Sequence, residues 1–357
     1  EVAGLPGFDD LGFDHWTSVG VKAANLAELW HLIPGNAPSG FGIPFSYYVA
    51  HMTASQATPG RCHEARVDCV DEGRDPAVCD AAEAWCKDAG VDAPDLWSYA
   101  EALLADPDIR GDTVLREAAL DGLVHLISHA PVDAAFGAAL DARVEEIFGD
   151  AKVRLRSSTN AEDLPGFSGA GLYRSVSAWA KGADSASSRV RKVWASAWSF
   201  RAVEERAWWN IDHMAVRMGV AVNGAFVDEA ANGVVVTRNL ADPTVDGIYV
   251  NVQLGEVSVT NPTEGALPEI FTMLQGPGGA VQVVRTAWSS LSPGAPILDD
   301  AEIADLYWTA RKIHQHFLPL YESAAGVQAM DMEFKIHGPE RTMYIKQARP
   351  YVTAGAW

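Results

Sequence analysis

Three short segments join charged side chains to backbone that a ligand can approach closely. In Gly20-Val21-Lys22 a glycine turn opens onto apolar residues at helical spacing through Leu29. A helix N-terminus offers unpaired N–H groups and positive potential, so an adjacent ammonium makes an anion site. The second segment is Arg154-Leu155-Arg156-Ser157-Ser158-Thr159-Asn160-Ala161-Glu162-Asp163-Leu164-Pro165-Gly166-Phe167-Ser168-Gly169-Ala170-Gly171, a strand that delivers arginine into a loop of hydroxyls and small residues. Such backbone N–H groups and hydroxyls suit phosphate oxygens, and Arg156 adds bidentate donors. No Gly-Lys-Ser/Thr follows, so this is not the Walker pattern. In the third segment Asp331 and Glu333 share one face of a strand, while Met330, Met332, Phe334 and Ile336 turn to a core. Beyond a Gly338-Pro339 turn, Gln347 and Arg349 again share a face. Two carboxylates, an amide oxygen and a guanidinium suit a magnesium triphosphate, because magnesium takes hard oxygen ligands and keeps phosphate and water in its shell. Taken singly, each segment also fits a bland reading: a solvated lysine, a flexible loop, a polar sheet face.

The elements that must position these groups mix helices with antiparallel strands. Apolar spacing places a helix after Gly20, helices through 93–148 with breaks near 106–107 and 131–132, and a long tryptophan-rich helix over 187–210. Trp194, Trp198, Trp208 and Trp209 read as core packing. From Val216 the period becomes that of strands, over 216–227, 233–238, 248–253 and 256–260, before a helix over 299–318 capped by Asp299 or Asp300. A hairpin of 329–336 and 342–348 closes the chain. This order gives an α+β fold and not a doubly wound sheet.

With 357 residues the chain can build two or three packed subdomains. Its 27 Lys and Arg against 47 Asp and Glu give a formal net charge of −20. Such a field argues against nucleic acid and anionic membrane as partners, and no apolar run reaches the length of a membrane span. The chain opens on Glu1 rather than methionine, which leads us to expect that an N-terminal piece has been removed.

All four cysteines fall in one Ala-, Asp- and Glu-rich stretch, 52–92: Cys62, Cys69, Cys79 and Cys86. Seven-residue spacing lays each outer pair along one helix face, and a helical hairpin would then pair Cys62 with Cys86 and Cys69 with Cys79. Buried thiols and a metal site stay open as alternatives, the metal weakened by the lack of C-x-x-C. Disulfides point to an oxidising, exported or periplasmic setting, whereas an ATP enzyme belongs in the cytoplasm.

In five places, in order, the chain resembles the nucleotide-binding domain of the phosphoenolpyruvate synthase and pyruvate phosphate dikinase family. Gly20-Val21-Lys22-Ala23-Ala24-Asn25-Leu26 is similar to its opening Gly-Gly-Lys-x-x-Asn-Leu, and the 156–171 loop to its Arg-Ser-Ser…Glu-Asp-Leu-Pro…Ser-x-Ala-Gly. Val193-Trp194-Ala195-Ser196 with Arg201-Ala202 resembles its central helix, and Gly255-Glu256 with Asn261-Pro262 its Gly-Leu-Gly-Glu…Asn-Pro strand. Asp331-Met332-Glu333-Phe334 and Gln347-Ala348-Arg349-Pro350 resemble its closing motifs, and Glu162–Val176 looks closest to the glucan, water dikinase version.

The resemblance implies an ATP-grasp fold, with subdomains over 1–215 and 216–357 enclosing a cleft for ATP and Mg2+, and a helical cysteine-bearing insertion. It implies that Lys22 and Arg156 neutralise phosphates under a covering loop containing Ser157, Ser158, Glu162, Asp163, Ser168, Gly169 and Gly171. Glu333 and Gln347 would hold magnesium beside Asp331, and Arg349 would stabilise the transferring phosphoryl group. Departures from the family pattern are Val21 for glycine, Gln253 for glycine and Asn223 for a common glutamine. The family's phosphoryl-accepting histidine has no counterpart among the ten histidines, His125 included. The acceptor is therefore expected elsewhere: a partner protein's histidine, a small molecule or a polysaccharide. A second reading is a non-catalytic or degenerate relative, exported and acting as a binding or structural module.

Overall fold

A computed structural model describes residues 2–162, 167, 169, 171–259, 262, 265–321 and 327–351. Its strands are β1 (Gly40–Ile43), β2 (Val153–Thr159), β3 (Val176–Ala178), β4 (Met218–Gly224), β5 (Glu229–Val236), β6 (Ile248–Leu254), β7 (Glu269–Gln275), β8 (Val281–Ala287), β9 (Met330–His337) and β10 (Thr342–Pro350). They form two antiparallel sheets, a four-stranded one ordered β1-β4-β2-β3 and a six-stranded one ordered β10-β9-β5-β6-β7-β8. The fold is α+β, as the mixed periodicity required.

Each sheet buries one face against helices. Phe41, Ile43, Val153, Leu155, Val220 and Val222 of the first pack with helices Thr113–His129, Ala134–Phe148 and Ala186–Ala195. Met330, Met332, Phe334 and Ile336 alternate inward along β9 against the helix Asp300–Leu320, whose first turn is capped by Asp299. Helix Val21–Leu32 lies between the two: Ala23, Leu26 and Ala27 belong to the second core while its first turn touches β2. Asn25, buried on that helix, donates to the Ala348 carbonyl of β10 at 2.9 Å and accepts from the Tyr321 hydroxyl. One helix thus ties the start of the chain to its last strand.

Several expectations need correction. The helix over 187–210 is two, Ala186–Ala195 and Phe200–Trp208, because Ser199 leaves helical geometry and caps the second. Trp194 and Trp198 fill the core, but Trp208 is 83% exposed. The described residues of 256–260 form no strand, and β7 and β8 arise where sequence placed none. The change of sheet follows Gly224, not the 215/216 boundary, because β4 bonds to β1 and β2.

The cysteine-rich stretch folds as helices Pro59–Asp71 and Pro76–Trp85, stapled by Cys62–Cys86 and Cys69–Cys79, the nested pairing expected of a helical hairpin. Among the described residues no single helix is long and apolar enough to cross a membrane.

Candidate functional site

Gly20 sets the first contact. Its φ is +84°, and a Cβ there would stand 2.1 Å from the Ser158 carbonyl oxygen, so a side chain is excluded by both strain and space. Ser158 Oγ accepts the Ala23 N–H at 2.9 Å and satisfies one of the donors a helix start leaves open. Sequence assigned this buried hydroxyl to phosphate; here it caps the helix that carries Lys22. Lys22 Nζ donates to the Ser157 carbonyl at 2.9 Å and lies 3.2 Å from Glu162 Oε1 and 3.4 Å from Ser157 Oγ. The other Glu162 oxygen accepts the Thr159 N–H at 3.0 Å, so Glu162 braces both the lysine and the loop. Gly169 and Gly171 of that loop adopt φ of +62° and +73°. Asp163 and Ser168 lie outside the described residues, as does Asn261.

Arg156 spans the sheets. From β2 its guanidinium donates to Gln347 Oε1 at 2.6 Å and to the Lys346 carbonyl, both on β10. On that hairpin Gln347 stands opposite Glu333 and Arg349 opposite Asp331. A bulge between Ile345 and Gln347 makes this register. It inserts Lys346 as the extra residue, so Gln347 turns toward Arg156 after Met343 and Ile345 have turned to the core. Arg349 donates from two nitrogens to Asp331 Oδ2, at 2.9 and 2.7 Å. Glu333 meets Lys346 at 2.6 Å. Burial works against its charge, but Lys346, Arg156 and Arg349 outweigh it and hold the carboxyl at about 2, from an ordinary 4.5. Glu333 is an anion at neutral pH.

The structure joins Lys22 to Ser157 and Glu162, and Arg156 to Gln347 opposite Glu333, with Asp331 and Arg349 one register step along; Glu333 and Glu162 both act on the charge of Arg156, which links the two groups. Beside Arg156 opens a cavity of about 330 Å3 lined by Lys152, Arg154, Asn223, Phe226, Lys335 and Lys346. Sequence reasoning passed over Lys152, Arg154, Lys335 and Lys346. Two of them were legible by the same rule that found their neighbours, since Arg154 is two residues before Arg156 and Lys335 two after Glu333. Lys335 is answered by Glu229 of β5. A protein of net charge −20 thus gathers cations in one crevice, where they raise the local concentration of an anion.

Glu333 and Gln347 offer two hard oxygens from opposed register positions. Among the described residues no group of three or more His, Cys, Asp and Glu side chains could hold a metal alone. Two protein oxygens fit an ion completed by phosphate and water. Of the departures, Gln253 is buried, donating to the Leu267 carbonyl at 2.9 Å and accepting the Ser289 hydroxyl at 2.6 Å, a brace for the chain around β7. Asn223 donates to the Gly224 carbonyl, and its buried Oδ1 has no hydrogen-bond partner among the described residues.

Residues 16–266 match the family described as pyruvate phosphate dikinase, AMP/ATP-binding domain. The chain is similar to phosphoenolpyruvate synthase of Pyrococcus furiosus, 24% identical over 97% of this chain and 43% of that protein. It is similar to a probable phosphoenolpyruvate synthase of Methanothermobacter thermautotrophicus, 26% identical over 98% of this chain and 46% of that protein. A rifampicin phosphotransferase of a Streptomyces species is 29% identical over 46% of this chain and 20% of that protein. The chain spans less than half the length of these relatives. With the family match covering most of its residues, the chain belongs to the pyruvate phosphate dikinase AMP/ATP-binding domain family.

Proposed function

We propose that the crevice between the two sheets binds Mg-ATP in an ATP-grasp arrangement and passes a phosphoryl group to an acceptor outside this chain. The observation that carries the reading is the Arg156–Gln347 bond, which sets a guanidinium from one sheet against a metal-competent oxygen from the other, with Arg156 on the wall of a cationic cleft. Similarity to phosphoenolpyruvate synthases and to a rifampicin phosphotransferase supports it. Lys22 and Arg156 neutralise the phosphates, and the Gly169 and Gly171 turns let loop N–H groups approach them. The base sits by Phe226 and Asn223, whose unpartnered Oδ1 suits an amino group. Glu333 and Gln347 would hold magnesium, which when bound would neutralise charge on the phosphates and would take the place of Lys346 beside Glu333. Arg349, aligned by Asp331, stabilises the transferring group, a role worth on the order of 10³-fold for one arginine.

The acceptor is a partner's histidine, a small molecule or a polysaccharide. A non-catalytic reading draws on one observation, the two disulfides, which suit an oxidising compartment poor in ATP. Thermal shift with Mg-ATP tests the binding: at 100 times Kd the ligand adds about 2.7 kcal/mol. No shift at millimolar Mg-ATP would sink the assignment. A shift without γ-phosphate release to water or to any of the three acceptor classes would select the non-catalytic module.

A further inference from the structure

Arg206, on helix Phe200–Trp208, is fully buried, at 0% exposure. No described carboxylate forms an ion pair with its guanidinium. Of the acids near it in sequence, Glu204 pairs with Arg116 at 2.8 Å and Asp212 accepts the Met214 N–H at 2.9 Å. Arg206 instead donates from Nε to His213 Nδ1 at 3.2 Å and from Nη1 to the Tyr173 hydroxyl at 3.4 Å. Burial, and then the Arg206 charge, pull His213 down to about 4, so at neutral pH its ring is uncharged and accepts that bond. A cation buried among neutral partners costs stability, and none of the Mg-ATP contacts uses it.

What Arg206 holds is the base of the phosphate loop. Thr159 ends β2 where the loop begins, and Tyr173 stands where the loop ends, two residues after Gly171. The Tyr173 hydroxyl also hydrogen-bonds to the Thr159 side chain, so both ends of the loop are clasped against Arg206. Tyr173 is buried, and burial raises its pKa, so the hydroxyl keeps its proton. From Thr159 the contacts run on to a phosphate cation. Its Oγ1 accepts the Ala161 N–H at 3.1 Å, its own N–H donates to Glu162 at 3.0 Å, and Glu162 reaches Lys22 at 3.2 Å. Just past the same helix, the Trp209 ring packs against Phe167 of the loop, 6.2 Å between centroids.

We propose that Arg206 is a positioning residue for phosphoryl transfer: through the Tyr173 hydroxyl and Thr159 it fixes the two ends of the phosphate loop, and with them the Glu162–Lys22 pair. This role rests on the Mg-ATP reading of the crevice, in which Arg206 itself touches neither nucleotide nor metal. A guanidinium suits the task because its planar fork holds His213 and Tyr173 at once and stays charged when buried.

Hydrogen exchange and calorimetry on the whole chain test it. Tyr173→Phe removes the hydroxyl and leaves the ring and the Arg206–His213 bond in place. In the unliganded protein the Thr159 and Ala161 amides should then exchange about fivefold faster, with the amides of helix Ala186–Ala195 unchanged. Kd for Mg-ATP should rise about fivefold. Arg206→Met should raise both effects to at least about tenfold, Arg206→Lys should restore part of the loss, and adding Tyr173→Phe to Arg206→Met should make neither effect worse, because both act through one bond. Should Arg206→Met not fold, Tyr173→Phe and Arg206→Lys keep the test intact. A wild type that does not bind Mg-ATP sinks the nucleotide reading, and the exchange rates still decide whether Arg206 holds the loop. Unchanged exchange at Thr159 and Ala161 in Tyr173→Phe, loosening spread equally through the helical core, or wild-type Mg-ATP affinity in that variant overturns the proposal.

Discussion

Arg156 and Gln347 lie 191 residues apart in sequence and 2.6 Å apart in space. Their bond joins a strand of one sheet to the last strand of the other, with the Lys346 carbonyl as a second acceptor. Removing the guanidinium should act on both stability and ligand. Arg156→Met loses charge-assisted bonds, each of about 1.5–3 kcal/mol. Calorimetric Kd for Mg-ATP should rise by roughly tenfold to a hundredfold, and Arg156→Lys should recover only part of the loss because a compact ammonium lacks the planar fork that reaches Gln347 Oε1 and the Lys346 carbonyl together.

Gly20 tolerates no side chain. Gly20→Ala would set a methyl 2.1 Å from Ser158 O at a φ of +84°, displacing the turn that carries Lys22. Urea unfolding should show a loss of about 2–4 kcal/mol, together with weaker nucleotide binding. An unchanged midpoint would show that the turn relaxes freely.

Ser157 and Ser158 should separate, though the phosphate reading treated them alike. Ser158→Ala removes the cap from the Ala23 N–H and should cost about 1 kcal/mol. Ser157 Oγ is the longest of the Lys22 contacts at 3.4 Å, so Ser157→Ala should leave stability within about 0.5 kcal/mol.

Acid should expose the work of Glu333. Its folded pKa of about 2 lies below the ordinary 4.5, so the stabilisation from its charge is complete above the unfolded value. That stabilisation is lost as pH falls from 4.5 through about 2. Glu333→Gln should melt lower than wild type at pH 7, and the gap should close by pH 2. A gap independent of pH would show that the carboxylate is not held by Lys346 and Arg156.

The two staples should differ in weight. Cys62–Cys86 closes a separation of 24 residues within the main core, whereas Cys69–Cys79 closes 10 beside a small cluster with Ala118. Loop entropy alone favours the longer one by about 0.8 kcal/mol. The Cys62→Ser, Cys86→Ser pair should therefore melt below the Cys69→Ser, Cys79→Ser pair, read by calorimetry under non-reducing conditions.

The closing hairpin was legible because Met330, Met332, Phe334 and Ile336 alternate with polar residues, and that period alone fixes which side chains face the crevice. The Lys346 bulge was not, since a one-residue register shift leaves no signature beyond a polar Gln347 where an apolar residue was due. Strand β8 escaped notice because Val284 is 54% exposed at a sheet edge and blurs the alternation. The break at Ser199 hid among tryptophans whose apolar spacing runs across it. The chemistry of Lys22 and Arg156 could be read from the sequence, but the cap that Ser158 makes and the brace that Glu162 makes could not. A hydroxyl or carboxylate near a phosphate loop serves equally well as a cap or a brace, and only tertiary contact decides.

The central claim is that cations from the first half of the chain and oxygens from its last hairpin meet on one triphosphate. The direct measurement is a crystal structure of the chain with Mg2+ and a non-hydrolysable ATP analogue. The account predicts phosphates between Lys22 and Arg156, with the metal on Glu333 and Gln347. Nucleotide density outside that crevice, or phosphates in contact with only one of the two sheets, would contradict it.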